Sequence, residues 1–285
     1  MKYVFFGTPR FAEIVLQQLL TAGMPPVALV CNPDRPIGRK KIITPPPTKQ
    51  LVGSLVTVFQ PEKLDAAFIE SLQALGADFF VVAAYAKIIP ASVLAIPRLG
   101  TIGTHPSLLP KYRGAAPIQS AILNGETETG VSLYSMDEKM DNGPILVQKN
   151  CSIGENETYV SLEEKLAKLS GEMLIATIPD FVAEKIKPRV QDAAQATFTK
   201  KFTTADGFIE YAEIEAAMRG NTGDSAGTLA ASRVILRKIN AFNPEPGAWT
   251  MRDGKREKLL EAEIQNSALR LTLTQEEGQT PKRTG

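Results

Sequence analysis

The sequence predicts an α/β protein, a doubly wound and mostly parallel sheet followed by a smaller β-rich domain. Three observations carry this. Apolar runs of strand length alternate with helix-length amphipathic segments through the first 185 residues, the pattern lapses over 186–205, and from Trp249 onward short alternating runs return without a helix between them.

The elements follow in order. Tyr3–Phe6 is an apolar run closed by Gly7-Thr8-Pro9, after which Phe11, Ile14, Val15, Leu19 and Leu20 recur at helical spacing up to Gly23. That is a βα unit. Val27–Cys31, Val56–Phe59, Asp78–Tyr85, Thr101–Thr104 and Val131–Met136 supply further strands separated by segments long enough for helices. Such sheets bind ligands beyond the carboxyl ends of their strands, where the strand order reverses, so the loops after these strands are where a site belongs. Thr158 to Glu184 reads as a long closing helix. The expected organisation is one domain over 1–185, a linker over 186–205 and a barrel-like β domain over 206–285, with Lys258–Ile264 and Leu269–Thr274 among its strands.

Composition narrows the class. With 44% hydrophobic and 22% charged residues the chain is ordinary globular material, and no stretch approaches the roughly 18 to 20 uncharged apolar residues of a membrane span. The N-terminus MKYVFFGTPRFAEIV lacks a small-residue cleavage site and reads as a buried strand, so a cytoplasmic protein away from membranes is expected. Cys31 and Cys151 form neither a disulfide framework nor a zinc spacing, and no metal is expected. The net charge of +1 hides an asymmetry: residues 1–184 carry −2 and residues 185–285 carry +3.

The chain contains one histidine, His105, at the end of a predicted strand in THPSLLPKYRGAAPIQ. Imidazole is the side chain whose ordinary pKa suits proton transfer near neutrality, so a mechanism that needs one must use this one. Pro106 and Pro110 stiffen the loop after it, Ser107 offers a hydroxyl, and Gly114 breaks the chain before an apolar helix. A second polar cluster, MDEKMDNGP at 136–144, places Asp137 and Asp141 at a strand-end turn. A carboxylate there can raise the basicity of the imidazole or order a water, or simply form an Asx-type turn.

The run SLLPKYRGAAPIQ followed by NGETETGVSLYSMDEKMDNGPIL resembles the folate-dependent formyltransferases. The resemblance extends over most of residues 1–200. It takes in Phe6-Gly7-Thr8-Pro9 with Phe11-Ala12, NPDRPIGRKK at 32–41, Phe59-Gln60-Pro61, Ala84-Tyr85 with Ile89-Pro90, and again AFNPEPGAW at 241–249. It implies a Rossmann-like formyltransferase domain with 10-formyltetrahydrofolate as donor, seated against Ser107, Leu108, Leu109 and Pro110, with Tyr85 and Asp137 among its contacts. It implies further that His105 and Asp141 are two members of an Asn-His-Asp trio, and that the acceptor is the amine of initiator methionyl-tRNA, met by a monomer.

At one place the chain departs from the family. The expected Asn-Val-His reads Gly103-Thr104-His105, so the asparagine is replaced by glycine. An oxyanion donor contributes about 2.7 to 4 kcal/mol when nothing replaces it. Either another donor substitutes, or turnover is low, or the chain is a non-catalytic tRNA-binding relative; if the missing donor is the limiting defect, Gly103→Asn should raise the rate, or at least not lower it. Sugar-amine formyltransferases share the SLLP region, which leaves the acceptor to be decided by other residues. From Arg35 to Pro61 there is no acidic residue, while Arg35, Arg39, Lys40, Lys41 and Lys49 accumulate. Such a loop suits phosphates, and in the family the corresponding loop engages the tRNA acceptor arm, with Arg39 at the position of a wedge arginine. The C-terminal domain is expected to be shortened, leaving more of the tRNA recognition to this loop.

Overall fold

A computed structural model describes residues 1–38, 40–219 and 225–284. The first strand, β1 (Tyr3–Gly7), is buried along its whole length. Helix α1 (Arg10–Thr21) buries Phe11, Ala12, Val15, Leu16 and Leu19, the stripe that a 3.6-residue period lays on one face. Gly7 ends β1 because nothing larger fits: a Cβ there would lie 2.6 Å from that of Ala12 and 2.8 Å from the Ala83 carbonyl oxygen.

The chain continues through β2 (Ala28–Val30), the short antiparallel pair β3 (Arg35–Ile37) and β4 (Ile42–Thr44), α2 (Pro47–Val52), β5 (Thr57–Phe59), α3 (Ala66–Ala74), β6 (Phe79–Ala83), α4 (Ala91–Leu94) and β7 (Thr101–His105). Then come β8 (Arg113–Gly114), α5 (Pro117–Leu123), β9 (Glu128–Ser135), β10 (Ile145–Ser152) and the long helix α6 (Tyr159–Val182). Among the described residues one sheet runs β10-β9-β7-β6-β1-β2-β5. Its pairs β5/β2, β2/β1, β1/β6 and β6/β7 are parallel, and β7/β9 is antiparallel. The order reverses about β1, with β2 and β5 to one side and β6 and β7 to the other, which is the switch point expected of a doubly wound sheet. Val4, Phe6, Val30, Phe80 and Val82 bury one face of this sheet against Phe68 and Leu72 of α3. Helix α3 starts where the Asp65 carboxylate accepts the Phe68 amide.

After α6 the chain is not a bare linker: β11 (Phe198–Thr199) pairs with β8, and Gln191 is buried. Helices α7 (Tyr211–Arg219) and α8 (Ser225–Phe242) follow, then the antiparallel strands β12 (Ala248–Arg252), β13 (Lys255–Gln265), β14 (Ala268–Glu276) and β15 (Lys282–Arg283), hydrogen-bonded in that order. Ile214, Ile235, Leu236, Ile239, Leu259, Leu269 and Leu271 form the core between these helices and strands.

Two compact units result. One comprises Met1–Arg113, Gly130–Cys151 and Glu164–Phe198; the other comprises Gly114–Thr129, Ser152–Glu163 and Thr199–Gly285. Helix α5 comes from the middle of the sequence and packs against α8 within the second unit. Every residue of the site described next lies in the first.

Candidate active site

His105 ends β7 and is 5% exposed. Its Nε2 lies 2.8 Å from the Tyr112 carbonyl oxygen. A carbonyl only accepts, so Nε2 carries a proton and Nδ1 is the ring nitrogen open to exchange. Nδ1 faces Asp141, whose Oδ2 is 3.6 Å away. Asp141 sits in the turn after β9 at φ +49°, a left-handed conformation that aspartate tolerates better than most residues. Its Oδ1 accepts a hydrogen bond of 2.8 Å from the Tyr134 hydroxyl. Tyr134 is 4% exposed. Burial, and then the charge and hydrogen bond of Asp141, push its phenol well above the ordinary tyrosine range, so it remains a donor at any physiological pH.

The antiparallel register explains this convergence. Gly103 stands opposite Tyr134 and His105 opposite Ser132, and a period of two puts these positions on one face of the sheet. A Cβ at 103 would come within 2.5 Å of Tyr134 Cε1 and 2.9 Å of Met136 Cγ. The space that a side chain at 103 would need is thus filled by a tyrosine ring. An asparagine at 103 would overlap that ring, which counts against a gain in rate from Gly103→Asn alone.

The turn that carries Asp141 is braced from below. Gln191 Nε2 donates to the carbonyls of Asp141 and Gly143 at 2.9 and 2.8 Å. Gln191 Oε1 accepts from Arg113 Nε and Nη2 at 3.1 and 2.7 Å. Arg113 Nη1 donates to Asn142 Oδ1, and Asn142 Nδ2 donates to Asp137 Oδ2. Asp137, read from sequence as a ligand contact, is therefore tied into the turn, where its other oxygen accepts the Lys139 amide.

The loop after His105 is held internally as well. Ser107 is fully buried; its hydroxyl donates to the Lys111 carbonyl and its own carbonyl accepts from Ser132. The Leu109 amide donates to Ser132 Oγ, and the Leu109 carbonyl accepts from Gln148. Ser107 thus shapes the loop, while Leu108 and Pro110 are its half-exposed members. Tyr85 follows β6, beside β7, but its ring lies edge-on to Phe6 in the core. Its hydroxyl is buried with no hydrogen-bond partner, and burial raises its pKa to about 12. What this segment can offer a ligand is backbone, with Ala84 and Ala86 held at φ +48° and +63°.

The basic segment after β2 is a hairpin. Arg35 pairs with Glu62 at 3.1 Å, and Lys49 Nζ lies 2.9 Å from Asp34 and 2.6 Å from Gln60 Oε1. The acid-free interval is thus bracketed by two acids that engage two of its five basic side chains. Lys40 and Lys41 are exposed near the tip, as are Ile37, Ile42 and Ile43 on its strands. Arg39 lies outside the described residues. Among the described residues no cluster of histidine, cysteine, aspartate or glutamate could hold a metal, and no helix is long and apolar enough to cross a membrane.

Tyr134, Arg113, Asn142 and Gln191 escaped the sequence reading. For Tyr134 a signal existed, since a glycine inside a strand marks the close approach of another group.

Two family models match the chain: Formyl transferase over residues 1–178, and Formyl transferase, C-terminal domain, over residues 230–278. A methionyl-tRNA formyltransferase of Methylococcus capsulatus is 38% identical over 270 residues, covering 94% of this chain and 82% of that protein. One from a Synechococcus species is 41% identical over 265 residues, covering 91% and 76%. Among solved structures, HypX of Aquifex aeolicus in complex with tetrahydrofolic acid superposes with a TM-score of 0.68 at 17% identity, covering 99% of this chain and 46% of that one. An N-formyltransferase of Helicobacter canadensis in complex with folinic acid and dTDP-3-aminofucose superposes with a TM-score of 0.62 at 16% identity, covering 93% and 88%. At such identities the two structures speak for the fold alone.

Proposed function

The chain belongs to the formyl transferase family, and from that premise we propose that it transfers the formyl group of 10-formyltetrahydrofolate to the amino group of initiator methionyl-tRNA in the cytoplasm. The observation that carries this reading is 38 to 41% identity, over more than nine-tenths of the chain, to proteins named for that activity. The site supports it. His105 and Asp141 face each other at the carboxyl edge of the sheet, where formyl transfer needs a proton acceptor beside a charge that steadies it.

The donor supplies an activated formyl carbon. As the amine attacks that carbon, it must shed a proton, and we assign its capture to His105 Nδ1, the ring nitrogen that the Tyr112 carbonyl does not hold. The imidazolium so formed is stabilised by Asp141, and its positive charge favours the developing oxyanion. The proton is then returned to the departing folate nitrogen, so His105 ends as it began. The half-exposed Leu108 and Pro110 and the backbone of 84–86 are the contacts we assign to the folate. Residues 1–185 are assigned the chemistry, and the hairpin bearing Arg35, Arg39, Lys40 and Lys41, with the segment 206–285, the tRNA.

The glycine at 103 favours a second reading, a non-catalytic tRNA-binding relative. One assay decides: 10-formyltetrahydrofolate is offered against methionyl-initiator tRNA and an amino-sugar nucleotide in parallel. Formyl-methionyl-tRNA as the product supports the proposal, a formylated sugar replaces the acceptor, and tRNA binding without transfer of any formyl group leaves the binding relative.

A further inference from the structure

Tyr134 stands where three constraints meet. Its ring occupies the space beside Gly103, so closely that any Cβ there would overlap it. The same ring packs with Leu109 and Ile145, tying it to the loop after His105. Its hydroxyl makes a 2.8 Å hydrogen bond to one oxygen of Asp141, whose other oxygen faces His105 Nδ1. We propose that Tyr134 is the positioning residue of this site: its ring replaces a side chain at 103, and its hydroxyl aims the Asp141 carboxylate at His105. This rests on the formyl-transfer reading.

The chemistry of a phenol supports the assignment. A tyrosine hydroxyl has one proton to give, and here it is given to Asp141, so Tyr134 does not donate to the substrate at the same time. It acts through the carboxylate. A carboxylate in a turn held at positive φ has two rotatable bonds, and a short hydrogen bond to one oxygen fixes where the other points. Arg113 and Gln191 fix the backbone of that turn, and Tyr134 fixes its side chain. The glycine at 103 is then the condition that lets the ring in, rather than a gap in the catalytic set.

The test begins with Tyr134→Phe, which keeps the ring and deletes the hydroxyl. With the wild type as reference, kcat should fall at least tenfold while the KM values for folate and tRNA change less than twofold. Gly103→Asn alone should lower both activity and the melting temperature, and adding Tyr134→Leu, which vacates the slot but also takes the hydroxyl from Asp141, should restore the melting temperature while leaving kcat at least tenfold below wild type. Wild-type kcat in Tyr134→Phe, or a double variant that melts no higher than Gly103→Asn, overturns the proposal. A second readout stands apart from the acceptor. The lone histidine gives one set of imidazole resonances, and Tyr134→Phe should move them in the same sense as Asp141→Asn does. Unmoved resonances overturn the proposal even if the wild type formylates nothing, whereas moved resonances with an inactive wild type overturn only the formyl-transfer reading.

Discussion

Replacing Gln191 by leucine should damage both the stability and the activity of this protein, although the residue touches no reacting atom. Gln191 is 8% exposed and accepts two bonds from the Arg113 guanidinium while donating two to the Asp141 and Gly143 carbonyls. Net hydrogen bonds contribute about 1 kcal/mol each, and roughly 1.5 to 3 kcal/mol where a charge takes part. The two bonds donated by the Arg113 guanidinium, itself 5% exposed, dominate, and their loss costs about 3 to 5 kcal/mol. At roughly 2 to 4 °C per kcal/mol for a body of this size, the melting temperature should drop by about 6 to 20 °C. Urea and thermal denaturation followed by far-ultraviolet circular dichroism measure this directly. Gln191→Glu separates the two functions: it keeps acceptor oxygens for Arg113 but presents carbonyls with a carboxylate. It should therefore recover much of the stability and little of the turnover. A Gln191→Leu variant within about 1 kcal/mol of wild type, with unchanged kcat, would refute the brace and the arithmetic together.

Other perturbations read other parts of the molecule. His105→Ala and Asp141→Asn should each reduce formyl transfer by about 10²-fold or more while leaving the circular dichroism spectrum intact, asparagine being chosen because it tolerates the positive φ at 141; either variant turning over like wild type removes that residue from the mechanism. Replacing Arg39, Lys40 and Lys41 with alanine should weaken tRNA binding and flatten its dependence on salt, with folate binding untouched; an unchanged salt slope would make the tip mere solvated surface. Burial holds the Cys31 thiol neutral and raises its pKa from 9.0 to about 11, so the unfolded chain ionises first as pH rises. The stability this contributes is whole below pH 9 and is lost between pH 9 and about 11; urea midpoints measured over that range should fall less steeply in Cys31→Val, and identical slopes would count against it.

The order of β1, α1 and β2, and the site at the carboxyl edge, were legible because apolar periodicity survives wherever a sheet is covered on both faces. His105 was legible for a different reason, as the one imidazole in the chain, and Asp141 because its turn carries a recognisable run of residues. Tyr134 was hidden because its role depends on register: only when β9 pairs antiparallel with β7 does residue 134 fall opposite 103. Gln191 lay in a stretch without periodicity, and nothing local marks a glutamine that answers to an arginine 78 positions away. The charge of the 35–61 interval was overcounted because Asp34 and Glu62 sit just beyond its ends in sequence yet reach Lys49 and Arg35 in space.

The fit of a tyrosine ring over Gly103 also bears on how this corner of the sheet can vary. Of the two positions, neither can change alone: a side chain at 103 meets the ring, and a small residue at 134 opens a void and takes the phenol hydroxyl from Asp141. The two positions are therefore coupled, and a change at either one alone leaves neither arrangement complete. Libraries that randomise one position at a time would miss every paired solution, whereas randomising 103 and 134 together would count how many solutions this corner of the sheet allows.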